Sequence, residues 1–263
     1  MIKYFSILKM SLNESFKYIS SLLFRFVGYF ITMFALTSVW KFVYSDSTQI
    51  INGYTYAQMI WYLLLAETLG YASSRGVQDE ITNDIKSGSI AYKVNKPYSY
   101  VGYNFMRYMG DSILRFVMYL IISILIGLLF VGKIDLNLNL LSILCVLLVT
   151  IFAISLSGLI KILISLSSFW VEDSTPFHWV YSKLLLIFGI FFPIEMFPKL
   201  MQPIIKASPV FVVLYGPVKL ILSFTYSFFL KVLLVQFIYL IIILLLTTLI
   251  YKKGVKKLNV NGG

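Results

Sequence analysis

The residue types that carry most metal and phosphate chemistry are scarce in this chain. One histidine, His178, and one cysteine, Cys145, cannot supply the paired ligands that a zinc site needs. The sequence also lacks the G-x-x-x-x-G-K-[ST] loop whose backbone amides hold nucleotide phosphates. We therefore expect no catalytic residue, no metal and no cofactor in this chain.

Ionisable side chains inside apolar segments are the remaining candidates, because each costs ~2.5–3.5 kcal/mol to insert into a bilayer. Arg107, Asp111 and Arg115 are spaced four apart and predict one charged ladder on a helix. Arg25 and Glu67 complete the group. We expect Glu67 to pair with Arg115 or Arg25, within one subunit or across a dimer, either as a packing lock or as a functional ion pair.

These charges belong to a chain that is 59% hydrophobic and 13% charged, whereas a soluble domain is about 25% charged. A helix that spans a bilayer needs roughly 20 mostly apolar residues. The apolar segments that predict six transmembrane helices lie near residues 24–44, 57–74, 106–131, 139–168, 177–197 and 227–251. We expect an all-α, multi-pass membrane protein whose single transmembrane domain covers residues 20–252.

Residues 1–19 predict a different kind of helix. Their apolar members recur at steps of three and four: Phe5, Leu8, Leu12, Phe16 and Ile19. Because lysines occupy other faces, the pattern indicates an amphipathic helix in the headgroup region. A signal peptide is the rival interpretation, but its apolar core should begin earlier and end at a small-residue cleavage site, which is not found.

The distribution of basic residues predicts the orientation. Lys and Arg gather in the N-terminal segment, in the loop between the second and third predicted spans, and in the tail, residues 253–263. With six spans these regions share one side, so we expect both termini to be cytoplasmic. The net charge of +11 is explained by Lys and Arg side chains that contact anionic lipid headgroups. We therefore expect no nucleic-acid partner. Lysines at 199, 206, 219 and 231 depart from this pattern.

The loop after the second predicted span contains a short amphipathic helix, residues 77–88. Val77, Ile81 and Ile85 line one stripe, Asp84 lies on a polar side, and Gly88 ends the helix. A motif follows this helix, and its residues are Ile90, Ala91, Tyr92, Lys96 and Pro97. The acidic residues of the helix disfavour its docking on an anionic membrane surface. We therefore expect the apolar stripe to enter a groove on a partner protein.

A proline-rich segment precedes the last predicted span. It holds five of the seven prolines of the chain: Pro193, Pro198, Pro203, Pro209 and Pro217. The apolar pieces between them are too short to span, which indicates re-entrant or interfacial helices and predicts an outer hairpin at residues 198–226. The alternative is an ordinary extracellular loop, which would be less apolar.

Two segments resemble the permease (transmembrane) subunit of bacterial type-2 ABC exporters, in particular the family encoded with a second permease and an ATPase. They are DIKSGSIAYKVNKPYSY, residues 84–100, and FFPIEMFPKLMQPIIKASPVFVVLYGP, residues 191–217. The order of interfacial helix, six spans, cytoplasmic helix and outer hairpin also agrees, so the resemblance covers nearly the whole chain.

This resemblance implies the type-2 ABC exporter fold and a division of labour in the bacterial plasma membrane. Two ATPase subunits would bind ATP and Mg, and would dock on residues 77–88 as the coupling helix. A second permease, more often a different chain than a copy, would complete an outward pathway for a drug, peptide or lipid-like molecule. Two other functions stay open: an ion-gradient-driven secondary transporter using Glu67, and a membrane-embedded structural or immunity protein.

Overall fold

The computed structural model describes residues 2–17, 19–44, 46, 48–133 and 138–261 of the chain. The described part is mainly helical, with one short antiparallel β-hairpin in which Ile50 pairs with Thr55 and Ile51 pairs with Tyr54. The elements in chain order are α1 (Ile2–Lys17), α2 (Ile19–Val43), β1 (Ile50–Ile51), β2 (Tyr54–Thr55), α3 (Tyr56–Ala72), α4 (Gly76–Lys86), α5 (Ile90–Val94), α6 (Tyr100–Phe130), α7 (Leu140–Leu166), α8 (Ser168–Val171), α9 (Thr175–Leu185), a π-helical segment (Leu186–Phe191), a 3₁₀ turn (Ile194–Met196), α10 (Gln202–Lys206), a second π-helical segment (Phe211–Tyr215), α11 (Gly216–Leu222) and α12 (Tyr226–Asn261).

Four of the described helical segments are long and apolar enough to cross a membrane. They are Phe24–Val43 in α2, Tyr100–Phe130 in α6, Leu140–Val171 across α7 and α8, and Tyr226–Lys257 in α12. The other two predicted spans correspond to shorter helices. α3 has 17 residues, and α9 has 11 residues followed by 6 π-helical ones. The chain is therefore a multi-pass helical membrane protein with four candidate spans by length and composition.

Side-chain caps begin three of the helices that build the bundle. Thr55 accepts a hydrogen bond from the backbone N–H of Gln58, and the Gln58 side chain accepts one from the backbone N–H of Thr55. Ser99 caps α6 and Asn139 caps α7 by accepting from the N–H three residues later. Each cap supplies an acceptor that the first turn of a helix lacks, which explains why the helices begin at these residues.

α1 and α2 run beside α6 and in the same direction. The Ser11 hydroxyl donates to the Arg107 carbonyl at 2.8 Å, and further along both chains the Tyr29 and Ser123 hydroxyls lie 2.5 Å apart. A side chain at Gly110 would lie 2.8 Å from Ser11 Cβ, so this glycine allows the close approach of α1. The face that α1 turns to α6 therefore includes a serine, whereas Phe5 and other apolar residues of α1 stay exposed.

α3 is the central helix and runs antiparallel to α6. Near the β-hairpin its Trp61 ring fills the space that a side chain at Gly127 would occupy. After its last turn, Ser73 is 2.8 Å from the Tyr108 hydroxyl of α6. The bundle thus has two ends, which we call the hairpin end, at β1 and β2, and the α4 end.

α12 runs parallel to α7 and α8. Gln236 of α12 donates to the Val149 carbonyl of α7 at 3.0 Å. Further along α12, in its last turns, Gly254 lies against the Phe169 ring of α8, where a side chain would come within 2.1 Å of the ring. Both contacts follow the same order along the two helices, so α7 and α12 point from the hairpin end towards the α4 end.

Candidate functional site

The apolar stripe of α4 faces the interior of its own chain. Ile81 has no exposed surface, and Val77 and Ile85 are also buried, because α4 packs against α6, α7 and α8. The expectation that this stripe enters a partner's groove is therefore wrong. An amphipathic pattern predicts that a stripe is covered and does not say which chain covers it.

Two carboxylates on α4 hold the following segment in place. Lys93 of α5 donates to Asp84 Oδ2 at 2.8 Å and to Glu80 Oε1 at 3.1 Å. The Tyr100 hydroxyl donates to Asp84 Oδ2 at 2.7 Å, and Arg107 of α6 forms an ion pair with Glu80. Burial alone would lower the pKa of Lys93, but both carboxylates raise it above its ordinary value, so the ammonium stays charged. α4, α5 and the first turns of α6 thus form one charged unit.

The segment between α4 and α5 turns through a glycine. Gly88 has a φ of +76°, in the left-handed region that favours glycine. Ile90 beyond it is buried, whereas Ala91 and Tyr92 are exposed. The Lys96 ammonium lies 5.2 Å from the centre of the Tyr92 ring. The motif residues therefore divide into a buried anchor and an exposed edge.

α1 contacts the end of this segment. Lys3 donates to the Pro97 carbonyl at 3.4 Å, and the Tyr4 hydroxyl accepts from the backbone N–H of Ser99 at 3.2 Å. Hence α1 joins the α4 end of the bundle through the last residues of the motif.

The exposed residues of α4 lie on the side opposite its apolar stripe, where Lys86 pairs with Asp173 at 3.9 Å. They include Asp79, Asn83 and Lys86, which together with Arg75, the residue before α4, recur at steps of three or four. With the exposed Tyr92 they form what we call the α4 surface. It is polar and mixed in charge, which suits a hydrated contact with another protein.

The junction between α3 and α4 is held by a lysine that the sequence analysis missed. Lys161 of α7 is 7% exposed and donates to the Ser73 carbonyl at 3.1 Å and the Ser74 carbonyl at 3.0 Å. The Ser73 hydroxyl lies 2.8 Å from the hydroxyls of Tyr108 and Ser157. The signal was available, since a lysine within an apolar span is costly.

The predicted charged ladder is two separate ion pairs. Arg107 turns to Glu80 of α4. Arg115 Nε donates to Asp111 Oδ2 at 2.9 Å, and the Ser15 hydroxyl of α1 donates to Asp111 Oδ1 at 2.9 Å. The charges on α6 therefore fix α4 and α1 against it.

Glu67 is 3% exposed on α3 and forms no ion pair with any residue in the described part of the chain. Arg115 is occupied by Asp111, and Arg25 is exposed. The predicted pair within one subunit is therefore not formed in this structure. The alternative, a pair across two permeases, stays a prediction.

The proline-rich segment breaks two helices, and side chains from neighbouring helices bond to the carbonyls left free. The π-helical segment after α9 ends before Pro193, which has no N–H to continue the helix. The Tyr62 hydroxyl of α3 donates to the Gly189 carbonyl at 2.6 Å.

A second break precedes α11. In the π-helical segment, the N–H of Gly216 bonds to the Phe211 carbonyl. The next acceptor in that pattern is Val212, and its donor would be Pro217, which has none. Gln236 of α12 donates to the Val212 carbonyl at 2.9 Å instead.

The other three prolines lie in turns. Pro198 O accepts from the Met201 N–H at 2.8 Å, and Pro203 is in the first turn of α10. Pro209 lies two residues before the second π-helical segment. The segment from 192 to 225 is thus a series of short helices at the hairpin end.

A partly buried ion pair connects this segment to β2. The Glu195 carboxylate accepts from the Tyr54 hydroxyl at 3.1 Å and the Tyr215 hydroxyl at 2.5 Å. Lys219 lies 3.2 Å from Glu195 Oε1 and donates to the Tyr54 hydroxyl at 2.8 Å. One of the four lysines that depart from the charge pattern is therefore neutralised by a partner.

The comparison with protein families identifies the class of protein to which this arrangement belongs. The model of the family described as ABC-2 family transporter protein matches residues 17–262. The chain belongs to the ABC-2 family. It is a permease subunit of that family, an integral membrane component of a transporter that is not itself catalytic. No curated protein sequence matches the chain.

The α4 end of this ABC-2 permease is fixed to the helices beside it. Among residues that the structure describes, His, Cys, Asp and Glu form no group of three that could hold a metal ion. The helix α4, which carries most of the α4 surface, is fixed by ion pairs to α5 and α6 and is connected through Ser73 and Ser74 to α3 and α7.

Proposed function

We propose that this ABC-2 permease is one of two permeases of an exporter, and that an ATPase subunit docks on the α4 surface. The observation that carries the proposal is the build of α4, whose apolar stripe and carboxylates fix it to the bundle while its polar face stays exposed. A displacement of that face is then passed to the attached helices. Two ATPase copies, each with ATP and Mg, would supply the displacement.

Six crossings are part of this proposal. α2 and α6 are parallel, so when both cross the membrane the chain between them must return, and α3 connects their opposite ends. α7 and α12 are parallel as well. The chain between them must therefore also return across the membrane, and in this proposal α9 and its π-helical extension make that crossing. A helix of 17 residues is about 26 Å long, close to the ~30 Å of a hydrocarbon core.

The α4 end is the cytoplasmic one in this proposal, because the basic N-terminal segment, the α4 loop and the tail meet there. The hairpin end then faces outward, with residues 198–226 at the mouth of a pathway between this chain and a second, different permease. The substrate class that suits a wall of apolar spans is a drug, peptide or lipid-like molecule moved outward across the bacterial plasma membrane. Membership of the ABC-2 family favours this function over an ion-gradient-driven carrier using Glu67.

Co-purification with the ATPase tests the proposal. The tagged permease, produced together with the proteins encoded beside it, should retain an ATPase subunit and hydrolyse ATP. Charge reversal on the α4 surface, with Lys86→Glu, should release that subunit, whereas the same change at the exposed Lys133 of the hairpin end should not. A permease that purifies without an ATPase, or loses it equally in both variants, contradicts the proposal.

A further inference from the structure

Lys161 is placed where a lysine is hardest to explain by packing alone. It lies inside a candidate span, Leu140–Val171, and is 7% exposed. Within the described residues it has no carboxylate within ion-pair distance. A charged lysine is costly to place inside a membrane span, and Leu or Met would fill the volume without that cost. Packing alone therefore does not explain why a charged residue lies at this position.

The Lys161 ammonium lies 6.0 Å from the centre of the Tyr108 ring, and its hydrogen bonds go to backbone carbonyls at one point of the chain. Its ammonium donates to the carbonyls of Ser73 and Ser74. These carbonyls follow Ala72, the last residue of α3, and precede Gly76, the first residue of α4, so they lie outside both helices. A cation at the carboxyl end of a helix also interacts favourably with the helix dipole.

A second set of bonds holds the same point from two helices. The Ser73 hydroxyl meets Tyr108 of α6 and Ser157 of α7, each at 2.8 Å. The Tyr108 ring packs on Gly158, where a side chain would come within 2.4 Å of the ring. Side chains of α6 and α7 therefore both form hydrogen bonds to the chain shortly before α4.

We propose that Lys161 is a positioning residue that makes the junction of α3 and α4 rigid. A movement imposed on α4 is then carried into α3 and α7 and reaches the hairpin end, because the junction does not bend at Ser73–Ser74. This inference rests on the proposed function, since it needs an ATPase to move α4.

The test follows two spin labels in the permease–ATPase complex in lipid nanodiscs. In a Cys145→Ala background, one variant carries Asn83→Cys on the α4 surface and another carries Leu200→Cys, exposed at the hairpin end. The spectrum of each label is compared without nucleotide and with ATP and vanadate. Lys161→Met is compared with Lys183→Met, which changes an exposed lysine that stacks 5.6 Å from the Trp179 ring.

With Lys161 and with Lys183→Met, both labels should respond to the nucleotide. With Lys161→Met, the label at 83 should still respond and ATP should still be hydrolysed, whereas the response at 200 should be lost. Equal responses at both positions in Lys161→Met overturn the inference. If neither label responds in the parent protein, the proposed function itself fails. Should Lys161→Met not accumulate, Lys161→Leu is assayed in the same way, and unchanged responses there overturn the inference.

Discussion

Ile81 shows how burial decides what a residue of α4 can do. It has no exposed surface, so Ile81→Ala leaves a cavity and should lower the free energy of unfolding by about 2–5 kcal/mol. Asn83→Ala, on the exposed side of the same helix, should change it by less than about 0.5 kcal/mol. Thermal unfolding of the purified variants in detergent measures both.

The opposite result for Ile81 would change the interpretation of α4. If Ile81→Ala keeps parental stability but hydrolyses ATP without a response at the hairpin end, the stripe contacts a partner after all. Loss of stability without such uncoupling supports the packing of Ile81 inside its own chain.

Glu67 and Asp111 are matched carboxylates with different surroundings. Asp111 accepts from Arg115 and from Ser15, so Asp111→Asn should lower the free energy of unfolding by about 1.5–3 kcal/mol. Glu67 has no ion pair among the described residues, so Glu67→Gln should not lower it, because a neutral amide is easier to bury.

The comparison is made on the isolated chain and again on the assembled complex. A loss in Glu67→Gln that appears only in the complex would indicate a partner on the second permease. A loss of the same size in the isolated chain would contradict the absence of an ion pair at Glu67.

Among elements, the broken helix before α11 gives the sharpest test of a hydrogen bond. Gln236→Leu leaves the Val212 carbonyl unpaired and should cost about 1–3 kcal/mol. Pro217→Ala restores a backbone N–H one step along the π-helical pattern, so Gln236→Leu should cost less in that background. Thr248→Val is the control, because the Thr248 hydroxyl donates to the Leu244 carbonyl of its own helix. Equal costs of Gln236→Leu in the two backgrounds would mean that Pro217 does not create the need for Gln236.

Elements differ in how much of them the sequence predicts. The helix of α4 and its end at Gly88 follow from periodicity and glycine, which are local signals. The burial of Ile81 within its own chain does not follow from these signals. The apolar stripe of α4 has the same sequence pattern whether the residues that cover it belong to this chain or to another. The pair of Glu80 with Arg107 joins residues on different helices, and no spacing within one helix predicts it. Lys161 was predictable as costly, but its acceptors are backbone carbonyls that every residue carries.

At the scale of the whole molecule, the order of the parts follows from composition. Apolar segments predict the bundle, and clustered prolines predict the broken segment near its last helix. Length alone does not settle the number of crossings, since α3 and α9 are shorter than the four candidate spans. The parallel packing of α2 with α6 and of α7 with α12 is tertiary information, and it is what argues for a return of the chain through the membrane twice more.

The six-crossing topology predicts which single cysteines face the outside of an intact cell. In a Cys145→Ala background, Gln49→Cys and Leu200→Cys at the hairpin end should react with a membrane-impermeant maleimide. Asn83→Cys and Lys256→Cys, exposed at the α4 end, should react only after permeabilisation. Gln49 and Asn83 flank α3, so labelling of both from outside would mean that α3 does not cross. Leu200 follows α9, and protection of Leu200→Cys in intact cells, with labelling after permeabilisation, would remove the crossing by α9. Either result would remove one of the two shorter helices from the set of membrane crossings. The parallel helices on either side of that shorter helix could then not both span the bilayer.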